Sequence, residues 1–242
     1  MEWYDDAIIL GVRQHGETSA IVEVVTYKHG RHLGLVRNGW SKRMRPLIQM
    51  GNRVEAHWWA RLDEHLGIFH LEVRHFAATR IMQIPFALYG LQTAAAHLRL
   101  LPERDCHPLL YKGLELLVEY FESPLLFAEI LVRFEMLLLE ELGFSLDLAC
   151  CVTIENTKEL AYLVPETARA GSQPEQPEKL LVIPTFLHKP DCHPIVAHEI
   201  RDGFLLTEFF FARHIWEPRR LVPPSLRAGF IKRLLHQLTT AP

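Results

Sequence analysis

The segment from 7 to 36 decides the fold: Ala7-Ile8-Ile9-Leu10-Gly11-Val12, Ser19-Ala20-Ile21-Val22-Glu23-Val24-Val25 and His32-Leu33-Gly34-Leu35-Val36 are short, β-branched runs. His15-Gly16-Glu17 and His29-Gly30 separate them and supply turn chemistry. Two more runs follow. From 52 to 61, Val54, Ala56 and Trp58 share one face, and from 66 to 76 the chain alternates through Ile68, His70, Glu72 and Arg74. Five strands in the first 80 residues, without a helical period, are too few to cover two sandwich faces. They imply a small barrel, OB-like or SH3-like.

After Phe76 the period changes to that of a helix, over 86–101 and 108–121. The clearest helix follows: Ser123 as N-cap, Pro124 at the first helical position, an apolar run to Leu142, and Gly143 where a left-handed cap would stand. Glu129, Arg133 and Glu140 form its polar stripe, and the remaining apolar circumference places it at the centre of a bundle. Residues 167–178 read as a surface loop between apolar runs at 160–164 and 180–183, and two late helices are expected at 205–215 and 225–238.

The 242 residues are 49% hydrophobic and carry a formal net charge of −3, which excludes a disordered chain and a uniformly basic DNA coater. An acidic start, Glu2 to Asp6, argues against a targeting segment, and the uncharged run 81–98 is too interrupted by Gln83, Pro85, Gly90, Gln92 and His97 for a membrane span. Cys106, Cys150, Cys151 and Cys192 read as reduced thiols, so the expected location is the cytoplasm.

Charge is unevenly distributed. Residues 1–80 have 11 Lys and Arg against 9 carboxylates, and Val24 to Val54 contains seven cations, among them Lys28, Arg31, Arg37, Lys42, Arg43 and Arg45, with no carboxylate. Such a run complements phosphates. Trp40 lies within it, in a segment that Gly39 and Pro46 suggest is an extended loop; an exposed aromatic among cations suits base stacking, and a Trp tucked against the barrel is the plain alternative. No HExxH, GxxxxGK[ST], GxSxG or GxGxxG is present, so no catalytic constellation is assigned. Cys150-Cys151 and Cys192-His193, with His188 and His198, lack the CxxC knuckle of a zinc site and read as buried small side chains. Glu140-Glu141 read as solvent-facing edges of their helix.

Several motifs, in order, resemble the bacterial recombination mediator family RecO: Trp3 to Leu10, Arg13-x-His15-Gly16-Glu17, His29-Gly30-Arg31, Gly34-Leu35-Val36, Gly51-Asn52-x-Val54, Trp59-Ala60-Arg61-Leu62, Leu101-Pro102-Glu103-Arg104, Leu110-Tyr111, Glu141-Leu142-Gly143-Phe144-x-Leu146-Asp147-Leu148-x-x-Cys151, Leu205-Leu206-Thr207 and Pro223-Pro224. The resemblance implies an α+β chain: an N-terminal OB-like five-stranded barrel over 1–80, then a helical domain over 81–242. Within the latter, 145–203 would be an irregular, zinc-ribbon-like insertion lacking the CxxC pairs that some members have, and no cofactor is expected. The resemblance further implies a non-enzymatic protein that binds single- and double-stranded DNA and anneals complementary strands. It would contact the acidic C-terminal tail of single-strand-binding protein and act with RecR to load RecA. Lys28, Arg31, Arg37, Trp40, Lys42, Arg43, Arg45 and Arg61 are the candidate DNA residues, and Phe86, Leu88 and Arg133 the candidate tail-binding residues. The competing reading from residues alone is an interaction scaffold whose basic barrel binds an acidic protein, and a metal-dependent hydrolase using the histidines is a third.

Overall fold

The computed structural model describes residues 1–62, 64–144, 152–154, 161–163, 181–188 and 196–240. Five strands open the chain: β1 (Glu2–His15), β2 (Ser19–Thr26), β3 (Gly30–Val36), β4 (Arg53–Trp59) and β5 (Ile68–His75). They close in the order β1-β2-β3-β5-β4, with β4 returning to β1. The first half of β1 pairs with β4 and the second half with β2, while β3 meets β5 in parallel at Leu35 and Ile68. This is an OB-type Greek-key barrel, and it disposes of the SH3-like alternative.

Alternation sets the barrel core. Val54, Ala56 and Trp58 point inward, as their spacing predicts, and meet Phe69, Leu71, Val22, Val24 and Ile9. β1 begins five residues before the expected Ala7, because Trp3 also packs on that core.

The expected extended loop after β3 is not extended. Residues 37–52 fold into consecutive tight turns, with Arg45 N–H donating to the Ser41 carbonyl at 3.0 Å and Ile48 N–H to that of Met44 at 3.2 Å. Ile48 is buried in the barrel core, so an apolar plug compacts the segment.

The helices are α1 (Ala78–Ile81), α2 (Pro85–Leu98), α3 (Pro108–Glu119) and α4 (Pro124–Glu141). Strands β6 (Val152–Ile154), β7 (Ala161–Leu163) and β8 (Leu181–Ile183) form a small antiparallel sheet, followed by α5 (Thr185–His188), α6 (Ala197–Phe211) and α7 (Ser225–Thr240). α6 starts eight residues before the expected boundary and ends in a π-helical turn, Ala212–Trp216, that buries Ile215 and Trp216. Pro124 opens α4 and Gly143 closes it at φ 91°, whereas the Ser123 side chain makes no capping bond and only its carbonyl receives Phe127 N–H. The expected loop 167–178 and the Cys150, Cys151, Cys192 and His193 positions lie outside the described residues.

Barrel and bundle share one wall. Ile8, Leu10 and Val25, on the outer face of β1 and β2, belong to the same apolar core as α2, α3 and α4. Asn52 fixes the junction: its buried amide donates to the Pro46 and Leu47 carbonyls, and its oxygen accepts from the N–H groups of Ala77 and Ala78. The β2–β3 turn rests on the loop before α3, where Gly30 at φ 65° is obligatory because a Cβ would collide with the Asp105 backbone.

At the bundle centre, Glu135 of α4 and Arg227 of α7 are both buried and joined by bonds of 2.8 and 3.0 Å, with Thr207 donating to Glu135 and Arg227 also reaching the Phe204 carbonyl. Burial alone would raise the Glu135 carboxyl, but Arg227 holds it below its ordinary value. His97 is fully buried beside this pair and stacks on Phe211 at 4.6 Å. Burial lowers it to about 4, against the pull of Glu135 and aided by Arg227. The folded protein therefore keeps His97 neutral while the unfolded chain protonates it below its ordinary value of 6.5. Stability from this site is complete above pH 6.5 and declines as pH falls toward 4, by about 3 kcal/mol. Urea unfolding across that range should show the decline, and His97→Phe should flatten it; an unchanged slope would refute the assignment.

Candidate nucleic-acid interface

The fold divides the basic run of the sequence into three parts. Lys28 is exposed in the β2–β3 turn, at the opposite end of β3 from Arg37 and about 20 Å away along the strand. Arg31 is largely buried: it donates to Glu23 at 3.0 Å and reaches the Leu101 carbonyl, so it braces the two domains. Arg53 is paired with Glu115 of α3.

Four cations remain together on the 37–52 segment. Arg37, Lys42 and Arg43 are exposed and form no ion pair among the described residues. Arg45 is also exposed and lies over the Trp40 ring at 4.8 Å. Trp40 itself is half-buried against the barrel core, and its backbone N–H donates to the Thr18 carbonyl at 2.8 Å. The tucked alternative therefore describes Trp40, and the expected open stacking platform is not formed. Its ring supports Arg45, and its backbone N–H holds the segment beside the β1–β2 turn.

Arg61 is exposed at the start of the β4–β5 connection. The far end of that connection, Gly67, accepts a bond from Leu35 N–H, two residues before Arg37. The fold thus links Arg61's loop to the end of β3 that carries the basic segment.

The outer face of β1–β3 extends from these cations toward the bundle. Pairing places Arg13, Ile21 and Leu35 in one row, and Gly11, Glu23 and Leu33 in the next. Beyond Glu23 stands Arg99 at the end of α2, which donates to both Glu23 oxygens, through Nη2 at 2.6 Å. Sequence reasoning missed Arg13 and Arg99. Period-two counting along β1 would turn Arg13 inward, because the bulge between Ile9 and Gly11 reverses the alternation, and no local signal places a residue at the end of a distant helix on a barrel face.

The histidines of the basic run are not free for phosphates. His29 stacks on Trp3 at 4.4 Å, and His32 is buried between Trp3 and Trp58.

The predicted tail-binding trio is not assembled. Phe86 is buried against Phe127, and Leu88 packs on the bundle core. Arg133 is committed to Glu129 at 2.8 Å and to the Phe186 carbonyl. Phe86 instead helps to line a pocket of about 500 Å³ with Pro85 and with Lys232, Arg233 and His236 of α7. The missed signal was charge: no Asp or Glu occurs from 218 to 242, which holds Arg219, Arg220, Arg227, Lys232 and Arg233.

Because Arg31 acts between the domains, Arg31→Ala should cost about 1–2 kcal/mol in urea unfolding, whereas Arg43→Ala should leave stability within about 0.5 kcal/mol. Equal effects would contradict the division of the basic run.

Two family models match the chain, "Recombination protein O N terminal" over residues 1–75 and "Recombination protein O C terminal" over residues 86–221. The chain is 50% identical over 234 residues to the DNA repair protein RecO of Brucella abortus (strain 2308), covering 96% of this chain and 95% of that protein. It is 52% identical over 235 residues to the DNA repair protein RecO of Bartonella bacilliformis, covering 96% of each.

Proposed function

The chain belongs to the RecO family of DNA repair proteins, and on that premise we propose that it is a non-enzymatic, cytoplasmic mediator that binds DNA, anneals complementary strands and, with RecR, helps load RecA. The observation that carries this reading is the exposed group Arg37, Lys42, Arg43 and Arg45, which has no carboxylate partner among the described residues. Phosphates of either a single strand or a duplex satisfy such cations, because contacts to the backbone carry no sequence information. Two strands held by one cationic surface repel each other less, and their base edges stay free to pair. No bond needs to be made or broken for this role.

The acidic tail of single-strand-binding protein would dock in the α2–α7 pocket, with apolar side chains against Pro85 and carboxylates against Lys232 and Arg233. Arg233 lies 4.0 Å from the centre of the Tyr89 ring, which limits its freedom and lowers the entropy cost of binding.

Single-strand affinity measured across a salt series should fall steeply, and Arg37→Ala, Lys42→Ala and Arg43→Ala combined should reduce the log–log slope by about 2. An unchanged slope would remove the basic segment from the reading, and binding of an acidic protein in preference to DNA would favour the scaffold instead. Lys232→Glu should weaken an acidic C-terminal peptide of single-strand-binding protein about tenfold and leave DNA binding by the barrel intact; peptide affinity equal to wild type would relocate the tail site.

A further inference from the structure

A pocket of about 320 Å³ opens on the outer face of β1–β3, where barrel meets bundle. The side chains of Ile21 and Leu33 give it an apolar floor. Arg13 stands on one side, exposed and without an ion pair among the described residues. Arg99 stands on the other, its side chain 46% exposed.

Arg99 is held firmly. Its Nε and Nη2 both donate to Glu23, whose other partner is Arg31, so the Glu23 oxygens are committed and the carboxylate is only 12% exposed. Gly11 lets the guanidinium approach β1, since a Cβ at that position would lie 3.3 Å from Arg99 Nη2. The result is a fixed planar cation beside an apolar floor, with a second, exposed cation at the rim.

We infer that this pocket receives one unpaired nucleobase, with the ring on the Ile21 and Leu33 floor and against the Arg99 guanidinium plane, and the adjoining phosphate on Arg13. Planar guanidinium groups stack on bases, which an ammonium cannot do. A duplex keeps its bases stacked and paired, so it can use the basic segment but not this pocket. Glu23 is saturated and positions Arg99 without reading base edges, so every base is accepted. The inference rests on the DNA-binding reading above and adds to it a determinant of strandedness: the 37–45 cations hold any backbone, and the pocket rewards an unpaired base.

The test compares three probes of equal length on the full chain: a single-stranded thymidine oligonucleotide, a strand of abasic sites, and a duplex. Wild type should bind the base-bearing strand about tenfold more tightly than the abasic one, the contribution of about one stacked base. Arg99→Lys keeps the charge and loses the plane; Leu33→Asn removes part of the floor without changing charge. Each should abolish the tenfold preference while abasic-strand and duplex affinities stay within about twofold. A preference that survives both substitutions, or an equal loss on all three probes, would overturn the pocket while salt-dependent DNA binding still stood. Wild type that binds none of the three would overturn the underlying reading as well. Unfolding midpoints of both variants separate a lost pocket from a lost fold.

Discussion

The two-sided burial of β1 is the constraint on which the rest depends. Ala7, Ile8, Ile9 and Leu10 are consecutive and all buried, a pattern that a strand shows only when both of its faces are covered. Ala7 and Ile9 belong to the barrel core, and Ile8 and Leu10 to the core of the helical bundle. One strand therefore serves as barrel wall and as docking surface. The position of α2 on the barrel, and with it Arg99 over Glu23, follows from that shared wall. Asn52 adds direction to an otherwise non-directional contact, because its four hydrogen bonds join the end of the basic segment to the first helix. The family motifs Gly51-Asn52, His29-Gly30-Arg31 and Leu101-Pro102-Glu103-Arg104 fall largely on this junction. Their spacing reflects the fit between the two units more than contact with a ligand.

Ion pairs decide which cations remain available outside the fold. Arg31 and Arg99 converge on Glu23, Arg53 meets Glu115, and Arg74 meets Glu55. Pairing takes up Arg31, Arg53 and Arg74, whereas Arg99, held by Glu23, keeps nearly half of its side chain exposed. The bundle takes charge inward as well, at Glu135 and Arg227. Such a buried pair is weak evidence of added stability, since desolvation offsets much of the attraction. Its geometry, with Thr207 and the Phe204 carbonyl completing the hydrogen bonds, fixes the placement of α7 on α4 and α6. α7 in turn supplies the cations of the second pocket, so an interior interaction positions an exterior surface.

Local patterns were legible wherever the cause was local. Alternation gave the inward faces of β4 and β5, Pro124 and Gly143 marked the limits of α4, and the absence of carboxylates from 24 to 54 marked the cationic part of the barrel. The conformation of 37–46 was not legible, because its glycine and proline are compatible with extension and only the burial of Ile48 in the barrel makes the turns compact. The pocket beside Phe86 was not legible for a similar reason: the sequence does not say which helix packs against α2, and α7, more than a hundred residues later, supplies the cations.

By itself the sequence determined the kind of elements, the barrel-then-bundle order and the presence of a basic segment, since period, turn residues and charge runs act over a few positions. The tertiary structure alone decided which arginines stay free, that Trp40 supports a cation instead of offering an open face, and that Arg99 reaches the barrel. Those outcomes depend on pairings between residues tens of positions apart, 76 in the case of Glu23 and Arg99. No local pattern encodes such a distance. Packing of two apolar surfaces against a shared strand does.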